Sequence, residues 1–264
     1  MLSTLRTPHE LSDFCEIEYT VEPEINDVSV SNRSLSDLLI YYQNVRGLKT
    51  KIDYFYPNTC DDHFDIICLT ETWLDSGVSN GELFSSCYHV VRSDRDTNYT
   101  GRSRGGGSLI AINKKFNFET IDLQLPLHLK LIDVSSCKLI SVAFNILILN
   151  LYVPPDISIT VFEKLLDFLE QKLVHFNNII ITGDFNVPKF ASQEMDDSKS
   201  QLLLKFMSYL GLVQCNDVMN MNNRLLDLVL VRDISVVITE DSQPLSKIDM
   251  HHPPLSIQVI FNKE

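Results

Sequence analysis

The sequence predicts an α/β fold in which two packed, mixed β-sheets form the core and helices cover their outer faces. About ten segments of the chain are short, apolar and rich in β-branched residues, as buried strands are. Most of these segments are joined by short turns, and only a few stretches have the periodicity of an amphipathic helix. Many strands with few helices are typical of a two-sheet core with the helices outside.

The composition is that of a globular protein with a large core. Of the 264 residues, 44% are hydrophobic and 22% are charged, which is usual for folded domains. No apolar segment reaches the roughly 20 residues of a membrane-spanning helix, and the N-terminus lacks the pattern of a secretory signal. The six cysteines lack the spacing of a zinc site, so we expect reduced thiols. We therefore expect an intracellular protein with no membrane contact.

The charge is unevenly distributed along the chain. The net charge of −13 argues against a general nucleic-acid coat. Residues 1–36 carry seven acidic residues against two arginines, and we expect a flexible acidic leader there, followed by one domain at 37–264. Residues 89–115 carry six basic residues against two acidic ones. This basic segment is either a solvated loop or a phosphate-contacting surface, with Arg102 and Arg104 as candidate substrate-binding residues.

The apolar segments give the predicted strands. They lie at 38–42, 64–69, 88–92, 108–112, 117–121, 131–134, 139–153 (read as a pair), 179–182, 225–231, 235–239 and 255–261. Three glycines at 105–107 precede one strand, and turn geometry explains them better than a phosphate cradle, because no P-loop or dinucleotide-binding pattern is present.

Three helices are predicted. Residues 48–56 can form a short helix that ends before Pro57. Thr160-Val-Phe-Glu163 has the spacing of a capping box, and apolar residues at three- and four-residue intervals follow it for about 16 residues. Residues 200–210 form the third helix, with Gly211 as its C-cap.

The most informative segment is Ile179-Ile-Ile-Thr-Gly-Asp-Phe-Asn-Val-Pro188. Its apolar run predicts a buried strand that Gly183 and Pro188 close. Asp184 and Asn186 are two residues apart, so their side chains project from the same side of an extended chain. A carboxylate and an amide at the end of a buried strand suit a polar reaction centre, although an Asx turn is the commoner explanation of an isolated Gly-Asp-x-Asn.

Other strands also end at, or contain, polar residues: Asn44, Glu71, Tyr152, Asp227, Asp249 and His252. Asp227 is flanked by apolar residues and needs a partner if it is buried, which a histidine could supply. The set as a whole suits hydrolysis of a phosphoester with a hard divalent cation. Carboxylate and amide oxygens favour Mg²⁺ or Mn²⁺, and the lack of cysteine ligands argues against zinc.

The ordered motifs resemble those of the endonuclease/exonuclease/phosphatase superfamily. They are Gln43-Asn44, Leu69-Thr-Glu71-Thr72, Leu151-Tyr-Val-Pro154, Gly183-Asp-Phe-Asn186, Leu226-Asp227 and the late Asp249 and His252. Further details resemble the apurinic-type endonuclease domains of non-LTR retrotransposons, namely Asn44-Val-Arg-Gly-Leu48, Thr70-Glu-Thr-Trp-Leu74, Arg104-Gly-Gly-Gly107, Leu226-Asp-Leu-Val-Leu230 and His252-Pro-Pro-Leu255.

The resemblance implies a four-layer α/β sandwich with the site at one edge and a bound Mg²⁺, or Mn²⁺ in its place. Glu71 would be the principal metal ligand and Asn44 a second one. Asp249 would be a further metal ligand or would orient the catalytic histidine. The superfamily usually has Ser-Asp-His in succession, whereas here Asp249 precedes His252 by three residues. This departure puts the role of Asp249 in doubt and leaves His251 as the alternative histidine.

The resemblance also implies the catalytic roles. Asp184 would activate the attacking water, and Asn186 would hold the phosphate or orient Asp184. Tyr152 would contact the scissile phosphate, and Asp227 would pair with His252. An Asp–His pair can stabilise the pentacovalent phosphorus.

The implied function is a Mg²⁺-dependent DNA endonuclease that nicks one strand and leaves a 3′ hydroxyl. Such a nick would prime reverse transcription by a reverse transcriptase supplied elsewhere, and the protein would act in the nucleus. Two alternatives stay open. The same fold could hydrolyse a small phosphoester or a lipid head group, or it could be a decayed, non-catalytic binding module. The irregular late motif and the acidic charge favour decay, and the intact remaining motifs oppose it.

Overall fold

The computed structural model describes residues 37–60, 63–101, 104–141, 144–191 and 197–261. The expected leader at 1–36 lies outside the described residues, so the domain boundary at residue 37 stays a prediction. The strands are β1 (Asp37–Asn44), β2 (Ile66–Thr70), β3 (Tyr88–Ser93), β4 (Ser108–Asn113), β5 (Asn117–Thr120), β6 (Asp133–Ile140), β7 (Asn145–Tyr152), β8 (Asn178–Asp184), β9 (Val213–Gln214), β10 (Asp227–Arg232), β11 (Ser235–Glu240) and β12 (Leu255–Ile260). The helices are α1 (Ile52–Cys60), α2 (Asn80–Leu83), α3 (Thr97–Thr100), α4 (Ile159–Leu173) and α5 (Ser198–Leu210), with a 3₁₀ turn at Leu127–Leu129.

The strands form two six-stranded sheets. The order is β11-β12-β1-β2-β4-β3 in the first sheet and β5-β6-β7-β8-β10-β9 in the second. Each sheet is mixed, because β1 and β2 run parallel in the first sheet and β7 and β8 run parallel in the second, while their other neighbours are antiparallel.

The sheets pack face to face, and helices cover their outer sides. Ile40 and Ile110 of the first sheet share one buried cluster with Ile148 and Ile180 of the second. A second cluster joins the opposite face of the second sheet to α4 and α5, and a third joins the first sheet to α1 and α2. The structure therefore has four layers, and the predicted two-sheet α/β sandwich is confirmed.

Strand β7 illustrates why the central strands are continuous apolar runs. Ile146 and Ile148 face the other sheet, whereas Leu147, Leu149 and Leu151 face the helices. Side chains alternate between the two faces of a strand, and both faces are buried here. A strand covered on both sides cannot alternate apolar with polar residues.

Helix α4 has the predicted amphipathic character but begins earlier than predicted. Phe162, Leu165 and Leu169 are buried on its inner face. The predicted capping box at Thr160–Glu163 is wrong, because the N-cap is Ser158, whose hydroxyl accepts a hydrogen bond from the Val161 N–H at 3.3 Å. The extended conformation of Ser158 places Thr160 inside the first turn, where it caps nothing.

Of the predicted ends of the other two helices, one is confirmed and one is wrong. Gly211 caps α5 with a left-handed φ of 67°, as predicted. The prediction that the first helix stops before Pro57 is wrong, because α1 continues to Cys60. Proline removes the hydrogen bond that would be accepted by the Asp53 carbonyl. Both residues are exposed, so water can satisfy that carbonyl.

The topology brings several strand ends to one edge of the sandwich. The carboxyl ends of β1 and β2 lie side by side, as do those of β7 and β8. The amino end of β10 lies next to the carboxyl end of β8, since Asp227 is paired with Asp184.

Among the described residues, no helix is long and apolar enough to cross a membrane.

Candidate active site

Asp184 ends β8 and lies at the centre of a hydrogen-bond network. Its side chain is 1% exposed. Oδ2 accepts hydrogen bonds from the side-chain amides of Asn44 and Asn186, each at 3.0 Å, and Oδ1 accepts one from the Asn186 backbone N–H at 3.0 Å. The Asx turn and the polar centre, alternatives in the sequence, are therefore the same feature. A Cβ at Gly183 would lie 2.2 Å from the Leu151 carbonyl oxygen, so only glycine permits this approach of β8 to β7.

The environment makes Asp184 a strong base. Burial raises the pKa of the Asp184 carboxyl well above its usual range, and the nearby Asp227 raises it further. The positive charge of His252 acts in the opposite direction. A carboxylate with a raised pKa is a better proton acceptor than an ordinary carboxylate, and is suited to accept a proton from water.

Asp227 and His252 form a buried pair, as the resemblance implies. His252 Nδ1 lies 2.8 Å from Asp227 Oδ2, and the other carboxylate oxygen accepts a hydrogen bond from the Tyr42 hydroxyl at 2.7 Å. The Tyr42 hydroxyl is also 3.0 Å from Thr70 Oγ1. These contacts fix the imidazole orientation, so that Nε2 faces Asp184 Oδ2 at 4.0 Å.

The charge of this pair depends on the carboxylates around it. Burial alone would lower the pKa of His252, but Asp227 and Asp184 outweigh burial and raise it to about 9. The imidazole is therefore positively charged at neutral pH. Sequence reasoning did not find Tyr42, although it lies on the same face of β1 as Asn44, two residues away.

Asp184, Asp227 and His252 also offer ligand atoms that lie within 4.8 Å of one another, close enough to surround a metal ion. However, both oxygens of Asp227 and Nδ1 of His252 already take part in the hydrogen bonds described above. The trio is for this reason better suited to proton transfer and phosphate binding than to holding a cation.

The residues that the resemblance assigns to a metal lie beside this network. Glu71 follows β2 with a left-handed φ of 51°, and its Oε2 accepts a hydrogen bond from Trp73 Nε1 at 3.1 Å. Asn44 Oδ1 accepts a hydrogen bond from the Arg46 backbone N–H at 3.1 Å and keeps a second lone pair. A carboxylate and an amide oxygen are donors that Mg²⁺ or Mn²⁺ prefers, so Glu71 and Asn44 fit such an ion.

Asp249 is turned towards a different partner. A tight turn joins Asp249 to His252, with a backbone hydrogen bond of 2.9 Å. One carboxylate oxygen of Asp249 accepts a hydrogen bond from the His251 N–H, and the other pairs with Arg46 Nη1, each at 2.8 Å. Its carboxylate is thereby satisfied by the protein itself, and Arg46, which sequence reasoning missed, supplies the positive charge there.

Tyr152 ends β7 and is paired with Asp184 across the parallel strands. It is 4% exposed, and its hydroxyl lies close enough to the Glu71 carboxylate for that charge to affect it. Burial, followed by Glu71 and Asp184, raises the pKa of the Tyr152 hydroxyl, so it remains protonated and can act as a donor. The tyrosine therefore links the Asp184 side of the site to Glu71.

The basic segment is largely occupied by internal contacts. Arg92 donates to Asp94 and to the carbonyl oxygens of Val78 and Asp75, and Arg95 is buried against an aspartate described below. The interpretation of the segment as a phosphate-contacting surface does not hold for these two arginines. Of the two candidate substrate-binding residues, Arg104 is exposed, and Arg102 lies outside the described residues.

Part of the sequence matches a known protein family. Residues 146–254 match a family model described as "Endonuclease-reverse transcriptase". That range contains Tyr152, Asp184, Asn186, Asp227 and His252. Among curated protein sequences, none matches the chain.

Solved structures show the same fold. The endonuclease domain of TRAS1, a telomere-specific non-LTR retrotransposon, is similar with a TM-score of 0.64 at 15% identity over 86% of this chain and 100% of that one. The AP endonuclease LMAP from Leishmania major has the same TM-score of 0.64 and identity of 15%, over 86% of this chain and 89% of that one. The mannosyl-6-phosphatase Bt3783 from Bacteroides thetaiotaomicron reaches a TM-score of 0.55 at 15% identity, over 85% of this chain and all (100%) of that one.

At these identities the structural likeness speaks for the fold, and the family model adds the sequence evidence. The two agree with the ordered motifs and with the site at the edge of the sandwich. The family match over residues 146–254 and the shared fold both support a relationship of this chain to the endonuclease/exonuclease/phosphatase superfamily.

Proposed function

We propose that the chain is a Mg²⁺-dependent DNA endonuclease that nicks one strand and leaves a 3′ hydroxyl. The fold and the family match support the broader class, a metal-dependent phosphoester hydrolase. The observation that carries the proposal is the buried network of Asp184, His252 and Asp227, with Tyr152 and Glu71 at its border.

This geometry supports the following roles for the side chains. Asp184, fixed by Asn44 and Asn186, accepts the proton of the attacking water. A bound Mg²⁺ or Mn²⁺ would be held by Glu71 and Asn44 and would neutralise phosphate charge and stabilise the leaving oxygen. Because the two amides already hold Asp184 in place, its carboxylate needs no rearrangement before the reaction.

Positive charge and hydrogen-bond donors face the position of the phosphate. The His252 imidazolium, whose charge Asp227 maintains, stabilises negative charge that develops on the phosphoryl oxygens. The Tyr152 hydroxyl donates a hydrogen bond to a phosphate oxygen once substrate displaces part of its contact with Glu71. His252 and Tyr152 flank Asp184, so water and phosphate would meet at its carboxylate.

Support for DNA as the substrate comes from the family description and from the titles of similar structures. The matched family is described as an endonuclease–reverse transcriptase, and both TRAS1 and LMAP are endonucleases by title. A nick made by this chain would prime reverse transcription in the nucleus by a polymerase supplied elsewhere. A second candidate is hydrolysis of a small phosphoester, because the similar Bt3783 is a mannosyl-6-phosphatase by title.

The test is the conversion of supercoiled plasmid to open circles by purified protein, with Mg²⁺ and with EDTA. Glu71→Ala and Asp184→Ala are the test variants, and Asp167→Ala, on the exposed face of α4, is the matched control. We expect metal-dependent nicking by the wild type and the control, and none by the two test variants. Extension of the nick by a DNA polymerase checks the 3′ hydroxyl.

Two other results would redirect the proposal. If folded protein leaves plasmid intact but hydrolyses a small phosphoester, the second candidate replaces the first. If it hydrolyses neither, a decayed binding module is the remaining account. Nicking that persists in Asp184→Ala would contradict the assigned base.

A further inference from the structure

A buried ion pair lies next to Tyr152, outside the catalytic network. Arg95 and Asp133 each have a side chain that is 4% exposed. Arg95 donates to Asp133 Oδ2 from Nη2 at 2.7 Å and from Nε at 3.2 Å, and Nη2 also lies 3.2 Å from the Leu131 carbonyl oxygen. The Gly107 N–H donates to the same carboxylate oxygen at 2.9 Å.

The pair is placed by strand register against the tyrosine. Asp133 and Tyr152 are direct cross-strand partners at the ends of β6 and β7. Arg95 Cζ lies 5.2 Å from the centroid of the Tyr152 ring, within the range of a cation–π contact. The guanidinium therefore contacts the ring, while the hydroxyl of the same side chain reaches Glu71.

A backbone feature maintains this arrangement. Gly106 has a φ of 78°, and a Cβ added to it would lie 2.1 Å from Arg95 Cζ. Any side chain at this position would displace the guanidinium. The glycine triplet before β4, which sequence reasoning assigned to turn geometry alone, thus also admits Arg95 beneath the tyrosine.

A buried ion pair is a poor means of stabilising a fold. Removing two charges from water often costs more than their attraction returns, and well-packed apolar residues would serve as well. A pair placed against a side chain of the site has another use, which is to hold that side chain in position.

We propose that Arg95 is a positioning residue that fixes the ring of Tyr152, so that its hydroxyl faces Glu71 and the substrate phosphate. Asp133 and the glycine triplet hold Arg95 in turn. The orientation of Tyr152 is a property of the folded chain alone, and its effect on hydrolysis rests on the proposed function. The two parts can therefore fail separately.

The first measurement needs neither metal nor substrate. Tyr152 is replaced by 3-fluorotyrosine, and its ¹⁹F resonance is compared in the otherwise wild-type chain, in Arg95→Met and in Arg92→Met. Arg92 belongs to the same basic segment, and its guanidinium donates hydrogen bonds to Asp94 and to a backbone carbonyl. We expect the resonance to shift or split in Arg95→Met and to stay unchanged in Arg92→Met. An unchanged resonance in Arg95→Met, or equal shifts in both variants, would overturn the proposal.

The second measurement is a double-mutant cycle of plasmid nicking with Arg95→Met and Tyr152→Phe. We expect Arg95→Met to lower kcat about tenfold with little change in KM, and to have no further effect once the Tyr152 hydroxyl is absent. Additive losses would assign Arg95 a purely structural role. If Arg95→Met does not fold, Arg95→Lys replaces it in both measurements, because it keeps the charge but loses the two-pronged contact with Asp133; we expect it to shift the same resonance from its wild-type position, and an unchanged resonance would overturn the proposal. If wild-type protein does not nick DNA, the proposed function fails and the ¹⁹F comparison still decides the position of Tyr152.

Discussion

The two sides of the candidate site differ in how they are held. On one side, Asp184, Asp227 and His252 are almost fully buried and hydrogen-bonded to neighbouring residues. On the other side, Glu71 has a strained left-handed backbone, and the Asp249 side chain is 24% exposed and paired with Arg46. The side that contains Asp184 is therefore held by buried contacts within the protein, whereas the side that contains Glu71 and Asp249, where we propose that the metal binds, is more exposed.

The largest expected effect comes from breaking the buried side. Asp184→Asn keeps the shape of the side chain and can keep the contact with Asn44, but it cannot accept a proton and its amide group faces the Asn186 N–H. We expect a loss of nicking rate of at least about 100-fold, the usual contribution of a general base, in a variant whose cooperative unfolding transition in urea shows that it is folded. Asp167→Asn should match the wild type. A loss below about tenfold would mean that another group activates the water.

The charge of His252 should make stability depend on pH. Its pKa is about 9 in the folded chain, against roughly 6.5 in an unfolded one. Since the folded value is raised, the stabilisation is fully present below about pH 6.5 and is lost as the pH rises through about 9. We expect the unfolding free energy of the wild type, relative to His252→Gln, to fall by about 3 kcal/mol over this range. Urea titrations at several pH values measure it, and a flat difference would contradict a charged histidine.

The buried side can also be weakened from within the core. Tyr42→Phe leaves one oxygen of Asp227 without its hydroxyl donor. We expect a loss of about 1–3 kcal/mol in unfolding free energy, the cost of an unsatisfied buried acceptor. Tyr54→Phe, at a tyrosine that is 44% exposed, is the matched control. Equal stability of the two variants would show that water or a rearranged side chain replaces the hydroxyl.

The proposal that Glu71 binds the metal can be tested by measuring Mn²⁺ binding directly, by electron paramagnetic resonance and without substrate. Glu71→Gln should weaken binding at least about tenfold, as removal of a ligand does. Asp249→Asn should change binding little, because Arg46 already engages that carboxylate. Arg46→Gln releases it and should strengthen binding. If Asp249→Asn weakens binding as much as Glu71→Gln does, Asp249 is a metal ligand despite its displacement in the motif.

Much of the fold could be predicted from the sequence, because strands that are buried on both faces have continuous apolar sequences, as β7 and β8 do. The errors lie at helix ends. Ser158 competes with Thr160 as a cap, and the exposure of Pro57 decides whether a missing hydrogen bond matters. Such choices depend on tertiary surroundings that local sequence does not contain.

The same limit applies to the site. The ordered motifs name Asp184, Asp227 and His252, and the structure brings these three together. The contacts of Arg46 with Asp249 and of Tyr42 with Asp227 join residues that are 203 and 185 positions apart, and no local pattern predicts them. For a related reason the sequence could not show that Arg92 and Arg95 of the basic segment have internal partners, because these partners lie on other parts of the chain or in its turns.

The division of the site between the two sheets has a consequence for when the proposed activity would appear during folding. Asn44, Glu71 and His252 adjoin strands of the first sheet, whereas Tyr152, Asp184 and Asp227 belong to the second. Neither sheet alone holds a base together with its imidazolium, so the site exists only after both have folded and docked. Because contacts between distant parts of a chain form late, the ability to cleave should be among the last properties to appear during refolding, after the secondary structure. A chain cut between β4 and β5 would regain it only when the two fragments reassociate.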